Sequence, residues 1–416
     1  MSMLAPLRLV PFRFLLAGRV VNSLGNAIAP VALAFAVLDL TGSASDLGLV
    51  VGVRVLANVL FLLFGGALAD RLPRNLLMVG SSVAAAVTQG AVAVLVLSGT
   101  ATVPALLALS ALNGVVAALA LPASSAILPQ LVPAGIRQQA NALNRLGFTS
   151  AALVGAPVGG VLVAVAGPGW GIAIDAGAFL VSAVFFALLR IPSGTTATPE
   201  RAGFLTDLRE GWAEFRSRTW LWAVVAGFTV VNACLAGGFT VLGPAVADGT
   251  VGRDGWGFVL GAQTLGMMLG AVLAMRLRVR RLLFAGVACV GFEALPLLTL
   301  GVAPRLGLLM AAAFLAGVTI EQFGIAWETS MQEHVPAENL ARVYSYDMVG
   351  SFLAIPVGQI VAGPIAEAAG LQATLVGAAA LVALATLGML LSRDVRTLPH
   401  LLPTEPAGKR VEELAP

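Results

Sequence analysis

The chain is a succession of apolar runs, each about as long as a bilayer is thick, divided by short polar loops. A membrane-crossing helix needs roughly 20 predominantly apolar residues. That window places spans at 14–38, 47–69, 76–97, 103–128, 146–166 and 170–189, then at 220–247, 256–275, 282–302, 306–327, 343–366 and 371–391. In lipid every backbone N–H and C=O must bond within the protein, which a helix does by itself. The pattern therefore predicts an all-α membrane protein of twelve transmembrane helices. Charged residues make up only 11% of the chain, less than half the roughly 25% of soluble domains. Too few remain to cover a water-facing surface of this size.

The arginines orient the spans, because short cytoplasmic loops retain Arg and Lys. Nineteen basic residues, from Arg8 and Arg13 through Arg71, Arg74 and Arg137 to Lys409 and Arg410, fall on one side, and only Arg253 and Arg305 on the other. Both termini are expected in the cytoplasm. The net charge of +3 sits in these loops and does not point to nucleic acid. Two cysteines, Cys234 and Cys289, lie in different spans, and His334 and His400 are the only histidines. Neither a disulfide framework nor a metal site is expected, nor any other cofactor. Met1 to Arg13 leads into a full-length span without the shape of a cleavable signal.

The chain repeats itself. At an offset of 203 residues, 11 of 36 positions match between 132–167 and 335–370, including Gly155 with Gly358, Gly160 with Gly363 and Gly167 with Gly370. Asn22 in span 1 likewise recurs as Asn232 in span 7. The expected organisation is a six-helix bundle at 1–190, a cytoplasmic linker at 191–219, a second bundle at 220–392 and a cytoplasmic tail at 393–416. Within the linker Phe204, Leu208, Trp212 and Phe215 recur at helical spacing among charges, which reads as an amphipathic helix on the membrane surface. Two parallel six-helix repeats place a substrate site between them and expose it alternately by rocking.

The loop between spans 2 and 3 reads Gly66-Ala67-Leu68-Ala69-Asp70-Arg71-Leu72-Pro73-Arg74. It resembles the G-x-x-x-D-R-x-G-R signature of the major facilitator superfamily, with Pro73 in place of the second glycine. Span 1, with Phe12, Leu15, Gly18, Ser23 and Gly25, and span 5, with Gly155, Pro157, Gly159 and Gly160, are similar to its bacterial drug-efflux branch, which includes macrolide and siderophore exporters. The resemblance covers the whole chain. It implies the major facilitator fold, with two pseudo-symmetric bundles and a cavity lined by spans 1, 4, 7 and 10. It also implies a gating role for Gly66, Asp70, Arg71 and Arg74; alternatively the two arginines only enforce topology. Asp347 is placed to meet this loop. The second half has Met275 where the first has Asp70, so a latch would be one-sided. Span 4 departs from the proton-coupled pattern R-x-x-x-G: Ser110 stands where the arginine would, ahead of Asn113 and Gly114.

Ionisable groups deep in a span are costly and are functional candidates. Arg19, Asn22 and Asn26 share one helical face, which reads either as cavity lining, with Asn113 and Asn232, or as a buried hydrogen-bond network. Arg54 could pair with Asp39 or with an acid across the cavity. Glu321, with Gln322, Phe323 and Trp327 beside it, is the leading proton carrier among Glu321, Arg19 and Arg54. Arg145 reads as an anchor reaching for the interface; Asp175 and Glu367 as interface caps; Glu293 as a structural partner. Prolines at Pro30, Pro157, Pro296 and Pro356 permit bends, and Gly155, Pro157, Gly159 and Gly160 suit a helix that flexes or seals. The expected activity is proton-coupled export of an amphipathic or hydrophobic small molecule from a bacterium, across its plasma (inner) membrane, by a monomer. Import of a polar nutrient and a non-transporting scaffold are the alternatives. No nucleophile–base pair or phosphate loop suggests an enzyme.

Overall fold

The computed structural model describes residues 5–69, 74–133, 136–189, 212–213, 215–274 and 279–400, and these are helical almost throughout. The first half comprises α1 (Val10–Thr41), α2 (Ala44–Ala69), α3 (Arg74–Leu97), α4 (Val103–Leu131), α5 (Arg137–Ala166) and α6 (Pro168–Ala187). The second comprises α7 (Thr219–Asp248), α8 (Gly252–Ala274), α9 (Leu282–Val302), α10 (Leu306–His334), α11 (Ala337–Phe352 continued as Ala354–Ala369) and α12 (Leu371–Leu391). Among the described residues eleven of these are long and apolar enough to cross a membrane, and α4, 29 residues long, is the twelfth. At 1.5 Å per residue the 32 residues of α1 extend about 48 Å, enough to span a bilayer and enter the headgroups. The linker from 190 to 211 and the tail beyond 400 lie outside the described residues.

Turn chemistry fixes where the helices reverse. α1 ends on Gly42 at φ 64, whose N–H bonds to the Leu38 carbonyl. α5 and α6 meet at Gly167 with φ 87, and α11 and α12 at Gly370 with φ 89. Only glycine enters this left-handed region without steric cost, so the match of Gly167 with Gly370 in the sequence is a repeated turn. Proline shapes two helix interiors. Pro296 and Pro356 lack an N–H to give to Phe292 and Phe352, four residues earlier, and there α9 tightens into a 3₁₀ turn (Gly291–Glu293) and α11 is interrupted at Leu353. Pro30 and Pro157 sit inside uninterrupted helices. A π-helical segment, Ala236–Leu242, interrupts α7 and brings Gly237 against the carbonyl of Gly358 in α11.

Packing is the same in both halves. α1 lies against α5 and α6, α2 against α4, and α3 against α6; correspondingly, α7 lies against α11 and α12, α8 against α10, and α9 against α12. The halves meet along two seams, α5 with α8 and α2 with α11. An even number of spans returns the chain to the side where it began. Residues 5 and 400 therefore share one end of the bundle, called here the terminus end, and the other is the far end.

Candidate functional site

The two seams close the far end backbone to backbone. A methyl group on Gly160 of α5 would lie 2.7 Å from the Arg253 carbonyl oxygen and 2.9 Å from Cα of Gly257, and one on Gly257 would lie 2.7 Å from the Ala156 carbonyl oxygen. On the other seam Gly48 abuts the carbonyl of Gln359, Gly52 meets Ile360, and Gly363 lies against the backbone of Ser45. These are the same contacts twice over. Ala156, Pro157 and Gly160 become Gln359, Ile360 and Gly363 at the repeat offset, while Gly257 and Gly261 stand where Gly48 and Gly52 stand. Small residues at such crossings let helices approach closely enough for dispersion to hold them in lipid.

Charge adds to the seal. The Arg253 guanidinium donates to both carboxylate oxygens of Asp39 at the end of α1 and, through Nε at 2.8 Å, to Asp248 of α7. It also lies 4.9 Å from the ring centre of Phe35. On the α2–α11 seam Ser45 Oγ donates to Glu367 at 2.5 Å.

Toward the terminus end the halves are joined differently. Arg145 of α5 reaches Glu321 of α10 at 3.4 Å, with 80% of the arginine side chain and 16% of the glutamate exposed. It is the ion pair between the halves on this side among the described residues.

A cavity of about 240 Å³ lies inside the first bundle, lined by Arg19, Asn22 and Asn26 of α1, Arg54 of α2, Met78, Ser81, Ser82 and Ala85 of α3, Asn113, Val116 and Ala117 of α4, and Phe179 and Phe186 of α6. Gly114 sets its depth: a side chain there would overlap the Arg54 carbonyl, so α2 and α4 touch at this level and bring Arg54 beside Asn113. The wall is internally bonded. Asn26 Nδ2 donates to Asn22 Oδ1 at 2.9 Å, and Asn113 Nδ2 to Thr88 Oγ1 at 3.1 Å. Behind it Asp175, fully buried, accepts from Gln89 Nε2 at 2.6 Å and acts on Arg54 through its charge.

The sequence model of the Major Facilitator Superfamily matches residues 15–254. The chain belongs to that superfamily. Over 382 residues it is 27% identical to the multidrug efflux pump Tap of Mycolicibacterium fortuitum, covering 89% of this chain and 91% of that one. It is 24% identical over 381 residues to macrolide efflux protein A of Streptococcus pyogenes, covering 86% and 89%. Among solved structures it resembles a bacterial homologue of the human lysosomal transporter Spinster in an inward-facing, unoccupied conformation, at TM-score 0.72 and 16% identity, covering 93% of this chain and 98% of that one. It also resembles the nucleoside transporter NupG, at TM-score 0.70 and 15% identity, covering 91% and 100%.

As a facilitator, this protein distributes its predicted site residues unevenly. Arg19, Asn22, Asn26, Asn113 and Arg54 converge on one cavity, but that cavity includes α3 and α6 and, among the described residues, none of the second half. Arg54 does not pair with Asp39, which Arg253 holds. Asp175 is no interface cap; it is sealed between α6 and α3. Asn232 donates to the Ser351 carbonyl at 2.8 Å, and Gln322 to the Gly270 carbonyl at 2.5 Å. Phe323 stacks on Phe228 with centroids 4.6 Å apart, Trp220 meets Trp327 edge-on, and both Phe323 and Trp327 are buried in the second bundle's core. Trp327 Nε1 donates to Asp347 at 3.1 Å, as does Ser351 Oγ.

Asp70 and Arg71 lie outside the described residues, as does Met275, and Gly66 and Arg74 are placed only as backbone positions at the ends of α2 and α3. Gly155, Pro157, Gly159 and Gly160 all lie on α5 in contact with α1 or α8. Glu293 is buried at the 3₁₀ turn of α9, its Oε1 without a hydrogen-bond partner. The residue the sequence reading passed over is Arg253. Its signal was available: with Arg305 it is one of the two basic residues that fall on the opposite side from the other nineteen.

Proposed function

We propose that this facilitator is a proton-coupled exporter of amphipathic small molecules, working as a monomer in a bacterial plasma membrane with both termini in the cytoplasm. Its moving units are residues 1–190 and 220–392, joined by the 191–219 linker and followed by the 393–416 tail. The observation that carries the reading is the contrast between the two ends. Glycine seams and the Arg253–Asp39 pair close the far end, while on the terminus side the contact is the Arg145–Glu321 pair, whose arginine is exposed. That is the arrangement of a carrier open to the cytoplasm. A proton on Glu321 removes the charge that holds Arg145, which ties the relative position of the halves to protonation. The efflux relatives support the direction of transport.

The test uses proteoliposomes with the terminus end outward and ethidium or a macrolide as probe. An acid interior should drive accumulation in the wild type and not in Glu321→Gln, while counterflow exchange without a gradient persists in the variant. Accumulation indifferent to the gradient in the wild type would remove proton antiport, and accumulation requiring the opposite gradient would identify an importer.

A further inference from the structure

A groove of about 490 Å³ opens on the surface of the second bundle, between α7 and α12 at the terminus end. Its deeper part is apolar: Trp222, Ala226 and Gly388 line it, and all three are exposed. A methyl group on Gly388 would meet nothing within 4 Å, so the groove is open space and not a packed crossing. In a membrane this stretch faces acyl chains. Trp222 stands near the end of the span, where tryptophan collects at the boundary with the headgroups.

The mouth is polar, and its groups are unused. Beyond the last turn of α12 the chain forms a short helical turn, Arg393–Thr397, pinned by Val395, which is fully buried. Ser392, Arg393 and Asp394 are thereby held at the rim of the groove, with Thr219 at the start of α7. The Ser392 Oγ has no hydrogen-bond partner. Among the described residues neither Arg393 nor Asp394 forms an ion pair. They do not satisfy each other, because successive residues of a helix do not face one another. Arg396, the next cation, bonds the Leu391 carbonyl at 3.3 Å.

One cation, one anion and a spare hydroxyl above an apolar groove fit a lipid head that carries both charges. We infer that the groove holds a phospholipid with a zwitterionic primary-amine head, phosphatidylethanolamine, from the leaflet at the terminus end. Its phosphate takes charge-assisted hydrogen bonds from Arg393, and Ser392 reaches the same phosphate by turning about one side-chain bond. Its ammonium donates to Asp394, and an acyl chain lies along Ala226 and Gly388. A phosphatidylglycerol head satisfies Arg393 and leaves Asp394 unpaired. A choline head carries both charges but has no N–H to give the carboxylate. The site is independent of what the protein carries.

The experiment places the full chain in phosphatidylcholine nanodiscs and reads quenching of Trp222 by lipids brominated on the acyl chains. The difference between the wild type and Trp222→Phe isolates that residue. A small fraction of brominated phosphatidylethanolamine should quench Trp222 about two- to fivefold more than the same fraction of brominated phosphatidylcholine, the enrichment expected of one exposed charge pair. Asp394→Asn should abolish the preference and Asp394→Glu retain it. Gly388→Leu, whose side chain enters the groove where a methyl group has room, should abolish it without touching the charges. Equal quenching by the two lipids in the wild type, or a preference that survives Asp394→Asn, would overturn the inference. Strongest quenching by brominated phosphatidylglycerol would overturn it too, since Arg393 would then be acting alone on anionic lipid.

Discussion

A single methyl group at Gly160 should hold the far end open. The Cβ of Gly160→Ala would sit 2.7 Å from the Arg253 carbonyl oxygen, 2.9 Å from Gly257 Cα and 3.1 Å from Gly257 N. All three are backbone atoms of α8, which cannot swing aside as a side chain can. Relief requires α5 and α8 to separate by several tenths of an ångström along a seam that otherwise interlocks. Overpacking of this kind costs about 1–3 kcal/mol, and the cost falls only on the state in which the far end is closed. The ratio of closed to open molecules should then drop roughly 5- to 150-fold, since each 1.4 kcal/mol is a factor of ten.

The readout belongs on the other seam, so that a local disturbance is not mistaken for opening. Ser45 and Glu367 touch across α2 and α11. Cysteines at both positions, with Cys234 and Cys289 replaced, should be bridged rapidly by a short dimaleimide in the parent and more slowly with Gly160→Ala. The reasoning requires the two seams to close as one rigid movement. If Gly160→Ala folds and the Ser45–Glu367 bridge forms at the parent rate, the seams are independent and the argument fails.

Other outcomes follow from the same contacts. Asp39→Asn should open the far end less than Gly160→Ala does, by a few-fold at most, because partly exposed ion pairs contribute only about 0–1 kcal/mol. Arg253→Gln should equal or exceed it, since it also removes the contact of the guanidinium with Phe35 of α1; both are read by the same bridging rate. Gly114→Ala and Gly317→Ala should each lower the thermal unfolding midpoint of the purified protein, because each drives a Cβ into the backbone of a neighbouring helix within its own half. Phe323→Ala should destabilise the second bundle by about 3–5 kcal/mol, the usual cost of emptying a buried aromatic site, seen as an earlier midpoint.

The architecture was legible in the sequence because lipid leaves few options: a run of twenty apolar residues is a helix. The repeat was legible for a reason that the structure makes concrete. Gly155, Gly160 and Gly167 recur as Gly358, Gly363 and Gly370 because close helix contacts and left-handed turns at both places exclude a side chain. What stayed illegible was pairing. Asp39, Arg54, Asp175 and Arg253 are four charges with several plausible partnerships, and only the crossing angles of α1, α2, α6 and α8 decide that Arg253 takes Asp39 and leaves Arg54 facing a cavity. Side-chain facing was equally hidden for Phe323 and Trp327. In a helix apolar nearly all round, periodicity does not separate a wall of the substrate path from the middle of a bundle.

The two halves thus agree in backbone and differ in charge, and the division follows function. Contacts that must form and break together, α5 with α8 and α2 with α11, are kept as twins, since rocking about a common axis needs equal surfaces on both sides. The charged groups are not duplicated. The first half holds Arg54 where the second holds Gln263, and the second supplies Glu321 to the Arg145 of the first. The Arg145–Glu321 pair and the far-end seams join the same two halves, so each acts on the other through the relative position of those halves. Gly160→Ala should therefore slow proton-driven accumulation of the probe, because the wedge lies on the seam along which the halves close. Accumulation at the parent rate in a folded Gly160→Ala protein would mean that closure of the seam does not limit transport.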